Sequence, residues 1–186
     1  FLFQPTQAPV ITFQIHLSEE AARGIGELGL EVPVVGRAYV ILTRNGDREP
    51  RQQVGTTGVP FWGREVRGLA GGDVVTLTPG EDGVIGHPLS DLTGVPPGEY
   101  FVQAFLNVFT TFHRADGHVL EMHLNSGAGQ RPWRAPGNAK SSVQRVLIAP
   151  EGPRSVDLTI NEVIPPLEPM PPGGSLQQGN PTDRGD

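Results

Sequence analysis

The chain has no cysteine and only 2 methionines among 186 residues. Disulfides, thiolate metal sites, thiol nucleophiles and an N-terminal lipidated cysteine are therefore excluded at the outset. Apolar runs stay far below the roughly 18 to 20 residues that a membrane-spanning helix needs, so no such helix is expected. Basic residues are the minority charge, 14 Lys and Arg against 20 Asp and Glu, for a net charge of -6. A nucleic acid or an anionic membrane would have to be met by a local basic patch. Arg131 and Arg134 bracket Trp133, but two arginines beside one aromatic read more simply as a loop stacked on its own domain. Sustained helical periodicity is almost missing as well.

What the chain has instead is punctuation. Gly 25 and Pro 19 together approach a quarter of the residues, which implies many turns joining short strands. The length suits one domain with a real core. The clearest strand follows the Pro96-Pro97-Gly98 turn, where Tyr100 to Phe112 carries no charge. One parity holds Tyr100, Val102, Ala104, Leu106 and Val108, and the other holds Phe101, Phe105 and Phe109, so both faces seek cover and the strand belongs in the middle of a sheet.

Pro9 to Leu17 alternates, with Ile11, Phe13, Ile15 and Leu17 on the buried side. Ser18 to Gly24 predicts one short helical turn, with Ser18 as N-cap, acids in the first turn and Gly24 as the stop; no longer helix is expected. Gly36 to Arg44 predicts a strand near the core. Arg51 to Val54, Arg64 to Val66 and Val74 to Thr78 predict lesser strands, and Phe61-Trp62, between Pro60 and Gly63, suits a turn that exposes large side chains as often as it buries them. Asp116-Gly117 predicts a two-residue hairpin turn between residues 110–113 and 118–124. Residues 125–140 read as a long ordered loop. Ser142 to Ile148 and Ser155 to Ile160 close the domain, with Val156, Leu158 and Ile160 inward. The pattern divides the chain into an extended arm over residues 1–8, a β domain over 9–163 and a Pro/Gly-rich tail over 164–186. The expected fold is all-β, an antiparallel immunoglobulin-like two-sheet sandwich with long loops, a closed barrel being the alternative.

Candidate chemistry is sparse. His113, Asp116, His118, Glu121 and His123 form the only concentration of metal-ligand types. Strand parity splits His118 from His123, and a two-residue turn leaves at most His113 and His118 on one face, so no metal site is expected. None of the serines sits in a G-x-S-x-G elbow, paired acids fall in turns, and Gly24-Ile25-Gly26 lacks the context of a nucleotide-binding loop. No catalytic residue and no cofactor are assigned, and the chain is expected not to be an enzyme. The residues expected to touch a partner are Phe1, Leu2, Phe3, Trp62, Trp133, Pro165, Pro166, Leu167, Met170 and Leu176, because aromatic and apolar side chains on extended or turn segments suit shallow pockets.

Three stretches carry a resemblance: GRAYVILTRNGDREPRQQVGTTGVPFWGREVRGL, GHPLSDLTGVPPGEYFVQAFLNVFTTFHRADGHVLEMH and PWRAPGNAKSSVQRVLI. From Gly36 to about Pro166 the chain resembles the N-terminal β-sandwich module that precedes the catalytic domain in a group of bacterial esterases of α/β-hydrolase type. The resemblance carries over no catalytic residue, since the nucleophile of those proteins lies in the later domain. It implies either an accessory domain of such an esterase or a stand-alone, non-catalytic exported subunit docked on a larger complex. In build and compartment the second is similar to an extrinsic periplasmic subunit of a bacterial photosynthetic reaction-centre and light-harvesting complex. Beginning at Phe1, the chain is expected to be an exported, extracytoplasmic protein freed of its signal peptide, with the subunits of a membrane assembly as partners. A free ligand-binding sandwich is the third class.

Overall fold

A computed structural model describes residues 10–55, 58–123 and 131–168. The described residues build ten strands, one α-helix and two short 3-10 turns. In order they are β1 (Thr12–Leu17), α1 (Glu19–Glu27), β2 (Val34–Thr43), β3 (Phe61–Leu69), β4 (Val74–Leu77), β5 (Val84–His87), β6 (Gly98–His113), β7 (Val119–His123), β8 (Ala139–Ser141), β9 (Gln144–Ile148) and β10 (Ser155–Val163).

The all-β expectation holds, with one sheet rather than two separate ones. Hydrogen bonding runs continuously through β4-β1-β10-β8-β6-β2-β3-β5, with β7 and β9 also paired to β6. The sheet curls until it is nearly a barrel. Side chains of β1 and β10 on one side and of β2 and β6 on the other share a single apolar cluster, among them Phe13, Ile15, Leu158, Val40, Leu42 and Leu106. Opposite the core, β3 and β4 meet through Arg64, whose guanidinium donates to the Thr76 carbonyl at 2.8 Å.

Strand β6 occupies the middle, as its lack of charge requires. Its even residues from Tyr100 to Val108 enter the main cluster. Phe105 points to the other face, into a second cluster with Ile41 and Ile164 that Tyr39, Phe61 and Trp133 cover. Each fully buried aliphatic or aromatic side chain contributes about 1.5–3 kcal/mol, which is why so polar a chain holds two layers of apolar packing.

Several expectations change. Every ladder among the described residues is antiparallel except one, because β1 and β10 pair in parallel, Phe13 opposite Val156 and Ile15 opposite Leu158. Parallel neighbours need a long crossover, and here the whole domain between the first and last strands supplies it. Helix α1 runs through Gly24 instead of stopping there, capped by Ser18 Oγ, which accepts from the Ala21 amide at 3.0 Å. Ala21, Ala22 and Ile25 are buried, and a Cβ at Gly24 would lie 3.2 Å from Val163 Cγ2. Glycine is there for close packing on β10, and tertiary contact overrides its low propensity. Arg51 to Val54 is not a strand: Pro50–Gln53 is a 3-10 turn. Phe61-Trp62 opens β3 instead of lying in a turn. Residues 139–140, expected in a loop, begin β8, and β5 has no counterpart among the expected strands. Ile164, assigned to the tail, belongs to the domain: its amide donates to the Asn138 carbonyl at 2.8 Å, and its own carbonyl accepts from Gly137 at 2.9 Å.

Candidate interaction site

Strand β6 outruns the core. Among the described residues it pairs beyond Val108 only with β7, Phe109 opposite His123 and His113 opposite Val119, so the end of β6 and all of β7 form a projecting hairpin. The turn is one residue longer than Asp116-Gly117 predicts. The Arg114 amide donates to the His118 carbonyl at 2.9 Å and the Gly117 amide to the Arg114 carbonyl at 3.0 Å. Gly117 takes φ of 85°, as the last residue of a three-residue loop demands. Asp116 Oδ1 receives the His118 amide at 3.1 Å and fixes the geometry.

That extra residue shifts the register by one and reverses the expected faces. Opposed residues share a face, so Phe112, Leu120 and Met122 line one side, while Val119, Glu121 and His123 line the other. On the first side Phe112 is 36%, Leu120 41% and Met122 50% exposed, an apolar stripe continuing outward from the core. On the second side Glu121 accepts from Arg67 at 2.6 Å and Thr111 donates to Glu31 at 2.9 Å. Those bonds tether the hairpin to β3 and to the segment before β2, so the stripe stands on a braced support.

The register also corrects the histidine geometry. His113 and His123 are the pair that share a face, not His113 and His118, and four residues of strand hold the first pair roughly 13 Å apart. No group of three or more metal-ligand side chains gathers among the described residues. His118 Nδ1 lies 3.2 Å from Asp116 and His16 Nε2 lies 2.9 Å from Asp157. Neither histidine is hydrogen-bonded to a serine among the described residues. Burial lowers the pKa of His123, against a smaller opposing pull from the Val108 backbone.

The residues expected at a partner surface fall into three groups. Trp62 is fully buried, and its indole Nε1 donates to the Ser90 carbonyl at 3.1 Å; it is a core residue and presents nothing to a partner. Trp133 is half-buried, its ring 5.1 Å from Tyr39, 5.5 Å from Phe61 and 5.1 Å from Phe105. The loop therefore stacks on its own sheet. Pro165, Pro166 and Leu167 are exposed, Leu167 by 61%. Phe1, Leu2, Phe3, Met170 and Leu176 lie outside the described residues. The hairpin stripe escaped the sequence reading, although the alternation Leu120, Met122 after Phe112 was there to find; without the register its facing was undefined.

Beside Trp133 lies a polar network. Glu49 accepts from Arg51 Nε at 2.6 Å, Lys140 Nζ at 3.0 Å and Gln103 Nε2 at 3.2 Å. Lys140 also reaches Glu162 at 2.7 Å, and Arg51 Nη1 donates to the Trp133 carbonyl. Partial burial pushes the Glu49 carboxyl up, but the bonds from Lys140, Gln103 and Arg51 outweigh it and hold the pKa at about 2, below the ordinary 4.5.

Surface cavities among the described residues include three, of about 380 Å³ between β3 and β4, about 340 Å³ beside Arg37 and Ile85, and about 390 Å³ between Arg51 and Trp133. None of these three is lined by a serine or a histidine. No helix among the described residues is long and apolar enough to cross a membrane. In comparisons with known proteins, no protein-family model, no curated protein and no solved structure matches the chain.

Proposed function

We propose that this protein is a non-catalytic interaction subunit that docks, through its projecting β6–β7 hairpin, on the extracytoplasmic side of a larger assembly. The observation that carries the reading is the stripe of Phe112, Leu120 and Met122, exposed on a hairpin that two side-chain bonds hold in place. Exposed apolar side chains scattered singly need no explanation, but a contiguous row on a braced element costs solubility unless a partner covers it. Among the described residues the outer edge of β7 has no strand partner, and a strand of the partner can add there. In this reading the curled sheet is an immunoglobulin-like sandwich whose two faces stay joined through β8. The location assigned to this docking role is the periplasmic face of a membrane assembly, of which a photosynthetic reaction-centre complex is one example. Pro165, Pro166 and Leu167, leaving the domain after Ile164, supply a second contact.

The test is co-purification of the tagged full chain from its native source, compared with the triple variant Phe112→Ser, Leu120→Ser, Met122→Ser. All three side chains are substantially exposed, so the variant is expected to fold. A stoichiometric partner that is lost with the triple variant and kept with a surface control such as Glu151→Gln is the expected result. Equal recovery with both variants overturns the docking role. Ester hydrolysis by the purified chain, abolished by a single serine substitution, overturns the non-catalytic assignment.

A further inference from the structure

We propose that the cavity between the Pro50–Gln53 turn and the Pro132–Arg134 turn binds a small oxyanion, a carboxylate or phosphate group carried on a compact polar body of about one sugar ring. This inference does not depend on the docking role.

Three features converge there. The cavity measures about 390 Å³ and is lined by Arg51, Gln52, Val54, Arg131, Trp133 and Arg134, among other residues. That size is near the small end of the range for ligand sites. Its charge is one-sided. Arg51 is committed to Glu49 and to the Trp133 carbonyl, and Lys140 divides itself between Glu49 and Glu162, so that network is close to neutral. Arg131 and Arg134 are exposed, and no carboxylate among the described residues lies within ion-pair distance of either. In a chain of net charge -6, two guanidiniums that line one cavity and have no carboxylate partner among the described residues form the local basic patch that the overall composition withholds. A guanidinium offers planar, paired donors suited to a carboxylate or phosphate.

The site is also built before any ligand arrives. Trp133 packs on Tyr39, Phe61 and Phe105. The Arg134 amide donates to the Arg131 carbonyl at 3.2 Å and the Ala135 amide to the Pro132 carbonyl at 3.1 Å. Asn138 Nδ2 reaches the same Pro132 carbonyl at 2.7 Å. These bonds fix the backbone from which both arginines project, so little ordering remains to oppose binding. The exposed part of Trp133 and the side chain of Val54 give the ligand body an apolar wall, and Gln52 gives it a polar one.

Tryptophan emission reads the site directly. The chain has 2 Trp, and Trp62 is fully buried, so a ligand at the surface perturbs Trp133 alone. Full-length protein is titrated with sodium glucuronate, inorganic phosphate and glucose at low ionic strength, with calorimetry as a second readout. Saturable binding of glucuronate, of phosphate or of both, with no response to glucose, is expected, and the tighter of the two anions tells carboxylate from phosphate. The double variant Arg131→Gln, Arg134→Gln should weaken it about tenfold or more, as loss of charge-assisted hydrogen bonds does. Its thermal melt should match the parent, both side chains being exposed. The proposal is overturned if neither anion binds up to about 20 mM, a few kcal/mol of affinity. It is equally overturned if glucose binds as well as the anions or if the double variant binds unchanged.

Discussion

Glu49→Gln is the perturbation that most directly interrogates the charged network beneath the Trp133 loop. In the native protein the carboxylate accepts from Arg51, Lys140 and Gln103, and its pKa falls from 4.5 to about 2. Converted at about 1.36 kcal/mol per unit, that displacement corresponds to ~3.4 kcal/mol. The side chain remains 32% exposed, and solvent screening reduces such a pair, so about 1.5–2 kcal/mol is the expected contribution. The sign follows from a folded pKa that lies below the unfolded one. The stabilisation is fully present above pH 4.5 and disappears as pH falls through about 2. Glutamine keeps the shape and one acceptor but not the charge, leaving Lys140 with Glu162 and Arg51 with the Trp133 carbonyl. Urea unfolding monitored by circular dichroism, at pH 7 and at steps down through the acid range in which the parent stays folded, measures the gap. The variant should lose about 2 kcal/mol at pH 7, equivalent to ~4–8 °C in Tm for a domain of this size, and the gap should narrow steadily below pH 4.5. A gap that is constant with pH, or none at pH 7, refutes the assignment of this stabilisation to the Glu49 charge.

Trp62→Phe should cost about 1 kcal/mol for the lost bond to the Ser90 carbonyl plus the void left by the smaller ring, and Trp62→Ala about 3–5 kcal/mol, because the indole is fully buried; a denaturation midpoint unchanged in Trp62→Ala contradicts its core placement. Truncation after Pro166 should leave the melting temperature nearly unchanged, whereas truncation after Val163 should lower stability by about 2–4 kcal/mol. Only the second removes the buried Ile164 and its two main-chain bonds to the Gly137–Asn138 segment. Comparing both truncations by calorimetry decides where the domain ends.

The parts of this protein that its sequence determined are those that depend on local pattern. Alternation placed β1 and β10 and their buried faces, the uncharged run placed β6 at the centre, and Ser18 with its two acids marked the start of α1. Each of these is a property of neighbouring residues, and burial on one face or both leaves its mark at a spacing of two or at a cap. Tertiary structure alone decided the rest. Gly24 reads as a stop in isolation and becomes a packing surface only because Val163 lies against it. Trp62 looked like a turn residue after Pro60 until β3 turned it toward the core. The parallel pairing of β1 with β10 joins opposite ends of the chain, a contact that no local window contains. The hairpin shows the limit most sharply. One additional turn residue, set by Gly117 and by the bond from His118 to Asp116, moves every side chain of β7 to the other face. Side chains alternate every residue along a strand, so a register known only to within one residue leaves undecided which of them meet solvent, and Phe112, Leu120 and Met122 gather on one exposed face only once that register is set.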